Sequence, residues 1–215
     1  MRIGILGSGE VGRALGTGFA STGHSVMIGT RHPDQPELRE WSHAKPGERL
    51  IGTPSETAEY GELLVVSTLG IATVEAVLAA GVPHFENKVV IDTTNPLKFA
   101  ESGAPELAIG FTTSAGEELQ KLLPKAHVVK AFNIVGNVHF FRPSFPGGPP
   151  DMYICGNDSA AKKTVTELLH KFGWTSVIDL GGIKSARELE SLCILWVKTA
   201  MTLGNWNIAF KVLRK

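Results

Sequence analysis

Three groups of residues in this chain have types and spacings suited to chemistry. The first is Gly7-Ser8-Gly9-Glu10-Val11-Gly12, a G-x-G-x-x-G hexamer that closes an apolar run over 2–7 and opens a stretch rich in small residues, Ala14, Gly16 and Gly18. Its glycines suit a tight turn, close backbone approach to a pyrophosphate, and close packing of a helix on a sheet. The pyrophosphate would rest on the free N–H groups and positive dipole end of that helix, with the Ser8 hydroxyl as a further donor. A glycine turn that only packs tightly is the alternative, and the strand before it and the helix after it favour a dinucleotide site.

The second group follows the apolar run Ser25-Val26-Met27-Ile28-Gly29, which ends in Thr30-Arg31-His32-Pro33. A carboxylate at this tip holds the ribose hydroxyls of NAD and repels a 2′-phosphate. A hydroxyl followed by a guanidinium does the reverse, because arginine offers two hydrogen bonds in a fixed fork. His32 adds a third donor, so the expected coenzyme is NADP. The third group lies at later strand ends: Thr68-Leu69-Gly70, Thr93-Thr94-Asn95-Pro96 and Ala131-Phe132-Asn133. Thr68, Leu69 and Gly70 are expected beside the nicotinamide-side ribose and phosphate. Asn95 and Asn133 are the nicotinamide-side candidates, since an amide can bond a carboxamide or a ribose. Singly, each is also a common turn-former or buried amide.

No Lys, His, Glu or Tyr stands out at those ends as a general acid or base. Reduction of a ketone needs a proton donor at the alkoxide. Passing hydride to a flavin or deazaflavin ring needs mainly stacking and exclusion of water. The expected reaction is therefore hydride transfer between NADP(H) and a small-molecule redox acceptor, a flavin or deazaflavin ring. A nucleotide-binding sensor without turnover and a small carbonyl or imine reductase are the other readings.

These groups need a scaffold. Apolar, β-branched runs at 2–7, 25–30, 63–68, 88–93 and 127–132, with a weaker one at 50–52, alternate with helical patterns over 10–21, 36–43, 71–80 and 114–123. That alternation predicts an α/β fold, a Rossmann-type doubly wound parallel sheet. Pro-Glu-Leu and Pro-Ser-Glu-Thr place proline near two helix starts. The loop Phe145-Pro146-Gly147-Gly148-Pro149-Pro150 marks a junction. The expected division is an NADP-binding domain over 1–143 and a small C-terminal α/β appendage over 151–215, carrying the acceptor site and a candidate dimer interface. The appendage is read as strand, helix, strand and a long helix from Ser185. On that last helix Leu189, Leu192, Cys193, Trp196, Ala200 and Leu203 form a stripe. The stripe either packs on its own domain or, widened by Leu195, Trp206 and Phe210, seams a homodimer.

Composition excludes several functions. Lys plus Arg equals Asp plus Glu, 21 against 21, so no global field points to nucleic acid or an anionic membrane. No apolar run approaches the ~20 residues that cross a bilayer. Two distant cysteines and seven unpaired histidines suggest no metal site. The expected address is cytoplasmic.

Taken together, the strings above resemble the coenzyme F420-dependent family of NADP oxidoreductases. Val129-Lys130-Ala131, Tyr153-Ile154-Cys155-Gly156-Asn157-Asp158 and Ser185-Ala186-Arg187-Glu188-Leu189-Glu190 extend the likeness over nearly the whole chain. The same strings are similar to the NADPH-oxidising domain of six-transmembrane metalloreductases, which hands hydride to a flavin. The resemblance implies a Rossmann domain, a small C-terminal domain, often a dimer, a 2′-phosphate clamp at Thr30 and Arg31, and acceptor stacking near Asn133. F420-linked members often have His at that last position, whereas metalloreductase-like members have Asn.

Overall fold

The protein is described by a computed structural model covering residues 1–100, 103 and 105–215. Strands β1 (Arg2–Leu6), β2 (Ser25–Gly29), β3 (Arg49–Gly52), β4 (Leu63–Val66), β5 (Val89–Asp92) and β8 (His127–Lys130) run parallel. A short antiparallel hairpin, β6 (Leu97–Phe99) and β7 (Pro105–Leu107), stands apart from them. Strands β9 (Asp151–Gly156) and β10 (Ser176–Asp179) complete a sheet of order β10-β9-β8-β5-β4-β1-β2-β3.

Helices α1 (Glu10–Ser21), α2 (Pro36–His43) and α6 (Ser159–Lys171) supply Leu15, Phe19, Leu38, Trp41, Val165 and Leu168 to one core, shared with Ile3, Ile5 and Val65. Helices α3 (Pro54–Tyr60), α4 (Thr73–Ala80), α5 (Ala115–Leu122) and the start of α7 (Ala186–Leu203) cover the other face. There Ala58, Val77, Leu119 and Leu189 pack with Leu64, Val66 and Val90. Adjacent strand residues thus enter opposite layers, as the pleat requires, and continuous Leu/Val runs such as β4 are buried on both faces. Helix starts follow local chemistry. Thr53 and Glu56 close a capping box before α3, and Ser114 caps α5.

The segment 151–215, expected as an appendage, continues the main sheet: β9 pairs antiparallel with β8, and β10 parallel with β9. Met152, Ile154 and Trp174 share a core with β1 residues. On α7, Cys193, Trp196 and Val197 pack against Ile134, with Phe210 beside them, whereas Leu195 and Trp206 remain exposed. The helix stops at Gly204, which takes the left-handed conformation (φ 58°). The chain then folds back. Trp196 Nε1 donates to the Ile208 carbonyl, and the Asp151 N–H to that of Phe210. Among the described residues no helix is long and apolar enough to cross a membrane.

Candidate active site

The carboxyl ends of β1, β2 and β4 surround a cleft of about 520 Å³. Its walls include Gly7, Ser8, Gly9, Glu10, Val11, Thr30, Arg31, His32, Thr68 and Leu69. Each glycine of the turn has a distinct task. Gly7 adopts φ +118°, and a Cβ there would sit 2.6 Å from the Ser67 carbonyl oxygen. A Cβ on Gly12 would lie 2.0 Å from the Gly7 carbonyl oxygen, so Gly12 lets α1 close on the turn. Gly9 differs: its Cβ would meet nothing within 4 Å and would project into open space. Gly9 also begins α1 without a side-chain cap, leaving first-turn N–H groups for a ligand. This cradle suits a pyrophosphate: the first-turn N–H groups of α1 carry no side-chain cap, and the space a Gly9 side chain would fill is open.

At the end of β2, Thr30 is buried, and its Oγ1 accepts from Ser8 Oγ (3.2 Å) and from the His32 N–H (3.0 Å). Ser8 Oγ also lies 3.3 Å from Gln35 Oε1, so its one proton is shared between two acceptors. Arg31 is two-thirds exposed at the cleft mouth and bridges to Glu75 on α4 at 2.8 Å. Glu75 was not legible as a site residue: it enters only because α4 crosses the mouth with Ala72, Ala76 and Ala79 on the lining. Arg13 carries no mark of a site in the sequence, yet its Nη1 donates to the Ser8 carbonyl at 2.7 Å and braces the turn.

Gly70, Asn95, Pro96, Ala131 and Asn133 lie outside that lining and form a second group at the ends of β4, β5 and β8. A Cβ on Gly70 would approach the Asn95 carbonyl oxygen to 2.1 Å, so the two loops touch through glycine. Asn95 Nδ2 donates to the Asn133 carbonyl (2.8 Å), and Asn133 Nδ2 donates to Asn95 Oδ1 (2.9 Å) and the Leu189 carbonyl (3.0 Å). Asn133 Oδ1 is buried with no partner. Ala131 and Pro96 are buried and serve as packing.

A lysine does stand at these strand ends: Lys130 closes β8 and is wholly buried, so it is not placed to act as a general acid or base. Its ammonium lies 2.7 Å from Asp92 Oδ2, 2.8 Å from the Thr94 carbonyl and 3.0 Å from Glu190 Oε1. Burial opposes its charge, but the two carboxylates outweigh that and hold it above the ordinary lysine range. All three N–H groups are engaged, so Lys130 has no proton to offer a substrate. Among the described residues no cluster of His, Cys, Asp and Glu could hold a metal ion.

Residues 2–96 match the family described as NADP oxidoreductase, coenzyme F420-dependent. The chain is 28% identical over 212 residues to the rat metalloreductase STEAP3, covering 94% of this chain but 39% of that protein. It therefore spans about two fifths of that relative's length. It is 26% identical over 206 residues to the F420-dependent NADP reductase of Methanocaldococcus jannaschii, covering 92% and 91% of the two chains. A crystal structure from Arthrobacter sp. FB24, provisionally assigned as an F420-dependent NADP reductase, superposes with a TM-score of 0.93 at 35% identity over 99% of both chains. On that match, the chain belongs to the coenzyme F420-dependent NADP oxidoreductase family.

Proposed function

We propose that this chain transfers hydride between NADP(H) and a deazaflavin or flavin ring, with F420 the first candidate and FMN or FAD the alternatives. The observation that carries the reading is one cleft holding both the open Gly9 cradle and the Thr30–Arg31 tip. The α1 N–H groups bind the pyrophosphate, while Thr30 donates to the 2′-phosphate and Arg31 neutralises it. Asn95 and Asn133, each holding the other's loop, mark the nicotinamide end. NADPH supplies the hydride; the protein's part is to orient it and keep water away. The engaged state of Lys130 supports a ring acceptor over a carbonyl, because a carbonyl requires a proton at its oxygen. One relative's name, F420-dependent NADP reductase, supports F420 as the first candidate, and that of another, a metalloreductase, supports redox transfer without naming a ring acceptor.

The test is calorimetric titration of wild type and Arg31→Ala with NADPH and NADH. Loss of a charge-assisted bond of about 1.5–3 kcal/mol predicts NADPH binding weakened roughly 10- to 100-fold, with NADH nearly unchanged. Equal affinity of wild type for both coenzymes defeats the clamp. Steady-state oxidation of NADPH with F420, FMN and FAD then ranks the acceptors.

A further inference from the structure

Asp92, Lys130 and Glu190 have side chains with no exposed surface, and none of them touches the coenzyme cleft. Their hydrogen bonds define their charge. Asp92 Oδ1 accepts from the N–H and hydroxyl of Thr94, and Oδ2 from Lys130. Glu190 Oε1 accepts from the Gly116 N–H and from Lys130, and Oε2 from the Ala115 N–H. Every carboxylate oxygen thus receives at least one donor, the hydrogen-bond pattern of two carboxylates around one ammonium. Two negative charges and one positive leave the cluster at a net charge of minus one. The first N–H groups of α5 offset part of it without adding a formal charge.

The cluster adjoins both asparagines. Lys130 grips the Thr94 carbonyl one residue before Asn95. Glu190 follows Leu189, whose carbonyl accepts from Asn133. A change in the cluster therefore reaches both side chains at the nicotinamide end.

We infer that Asp92, Lys130 and Glu190 are positioning residues for the Asn95–Asn133 pair, and that their net negative charge favours the cationic, oxidised nicotinamide over the neutral, reduced one. This rests on the placement of the nicotinamide proposed above. A buried charge is poorly screened by salt, and the ring gains one positive charge when hydride leaves. The cluster thus stabilises the state that hydride donation produces, from outside the contact shell of the coenzyme.

The experiment measures dissociation constants of NADP⁺ and NADPH by calorimetry on the whole chain, as wild type, Glu190→Gln and Asp92→Asn. Each substitution takes the cluster from minus one to zero. The ratio Kd(NADP⁺)/Kd(NADPH) is expected to rise roughly tenfold in each, the effect of one unit charge acting over ~10 Å at an effective dielectric of ~20. Equal weakening of both coenzymes with an unchanged ratio makes the cluster purely structural and overturns the inference. Arg31→Ala separates the two readings: it weakens both coenzymes without moving the ratio, and if it weakens neither, the coenzyme site itself is misplaced. If one cluster variant does not fold, the other decides.

Discussion

Substituting Gly9 by alanine separates binding from folding more cleanly than any other change in the turn. Gly9 holds φ −68° and ψ −178°, extended backbone open to any residue. Its added methyl would touch nothing within 4 Å. Two small effects on stability oppose each other. Alanine is a poorer helix N-cap than glycine by about 0.5–1 kcal/mol, and it restricts the unfolded chain, contributing about 0.4–1 kcal/mol in the other direction. Thermal unfolding should therefore stay within about 2–4 °C of wild type, the shift per 1 kcal/mol for a domain of this size. Binding should not survive so well. In the proposed binding mode the methyl stands where the pyrophosphate would approach the α1 N–H groups, and losing one bond to a charged oxygen costs about 1.5–3 kcal/mol, or roughly 10- to 100-fold in the Kd of NADPH. Gly12→Ala is the contrasting control. Its methyl would meet the Gly7 carbonyl oxygen at 2.0 Å and Ser67 Oγ at 2.9 Å, an overpacked contact costing about 1–3 kcal/mol of stability. Calorimetry and thermal unfolding of both variants give the answer. If Gly9→Ala binds NADPH as tightly as wild type, the pyrophosphate does not lie on this turn.

Three further outcomes are expected. Glu75→Gln removes the partner that holds Arg31 across the cleft mouth; because exposed pairs are worth about 0.2–1 kcal/mol, NADPH should bind up to roughly fivefold tighter, and weaker binding in a titration contradicts this. Glu117 is held below its ordinary value of 4.5, first by its hydrogen bonds to Arg187, against the opposing effect of burial. A depressed carboxyl contributes stability above the unfolded pKa and loses it as pH falls through the folded value, so in urea unfolding Arg187→Ala should be less stable at pH 7, with a gap that narrows below pH 4.5. Burial pushes the thiols of Cys155 and Cys193 up to about 12, so neither should react with a thiol reagent at pH 8 in the native protein, while both react in denaturant.

Much of the scaffold is legible because its strands are buried on both faces. β1, β4, β5 and β8 read as apolar runs for the reason that puts them in the middle of the sheet. The glycine turn and the Thr30–Arg31 tip are local, so their spacing survives in the linear chain. Features made by distant partners do not. Lys130 reads as an ordinary charge at the end of an apolar run, and its enclosure depends on Asp92, 38 residues away, and on a helix near the C-terminus. Glu75 becomes a site residue only when α4 crosses the cleft mouth. The β6–β7 hairpin has three-residue strands, too short for alternation to register. The strands of 151–215 are visible in the sequence, but their pairing with β8 is not, because an edge carries no local mark of what it joins.

The returning tail after α7 makes one part of the sheet answerable to the C-terminus. The backbone amide of Asp151 is closed by the Phe210 carbonyl, its carboxylate accepts the Val212 N–H, and the Trp196 indole is closed by Ile208. Deuterium uptake at the Asp151 amide therefore reports the lifting of residues 208–212 and not the unzipping of β9 itself. The start of β9 and the indole should open as one cooperative unit, at a rate set by the tail.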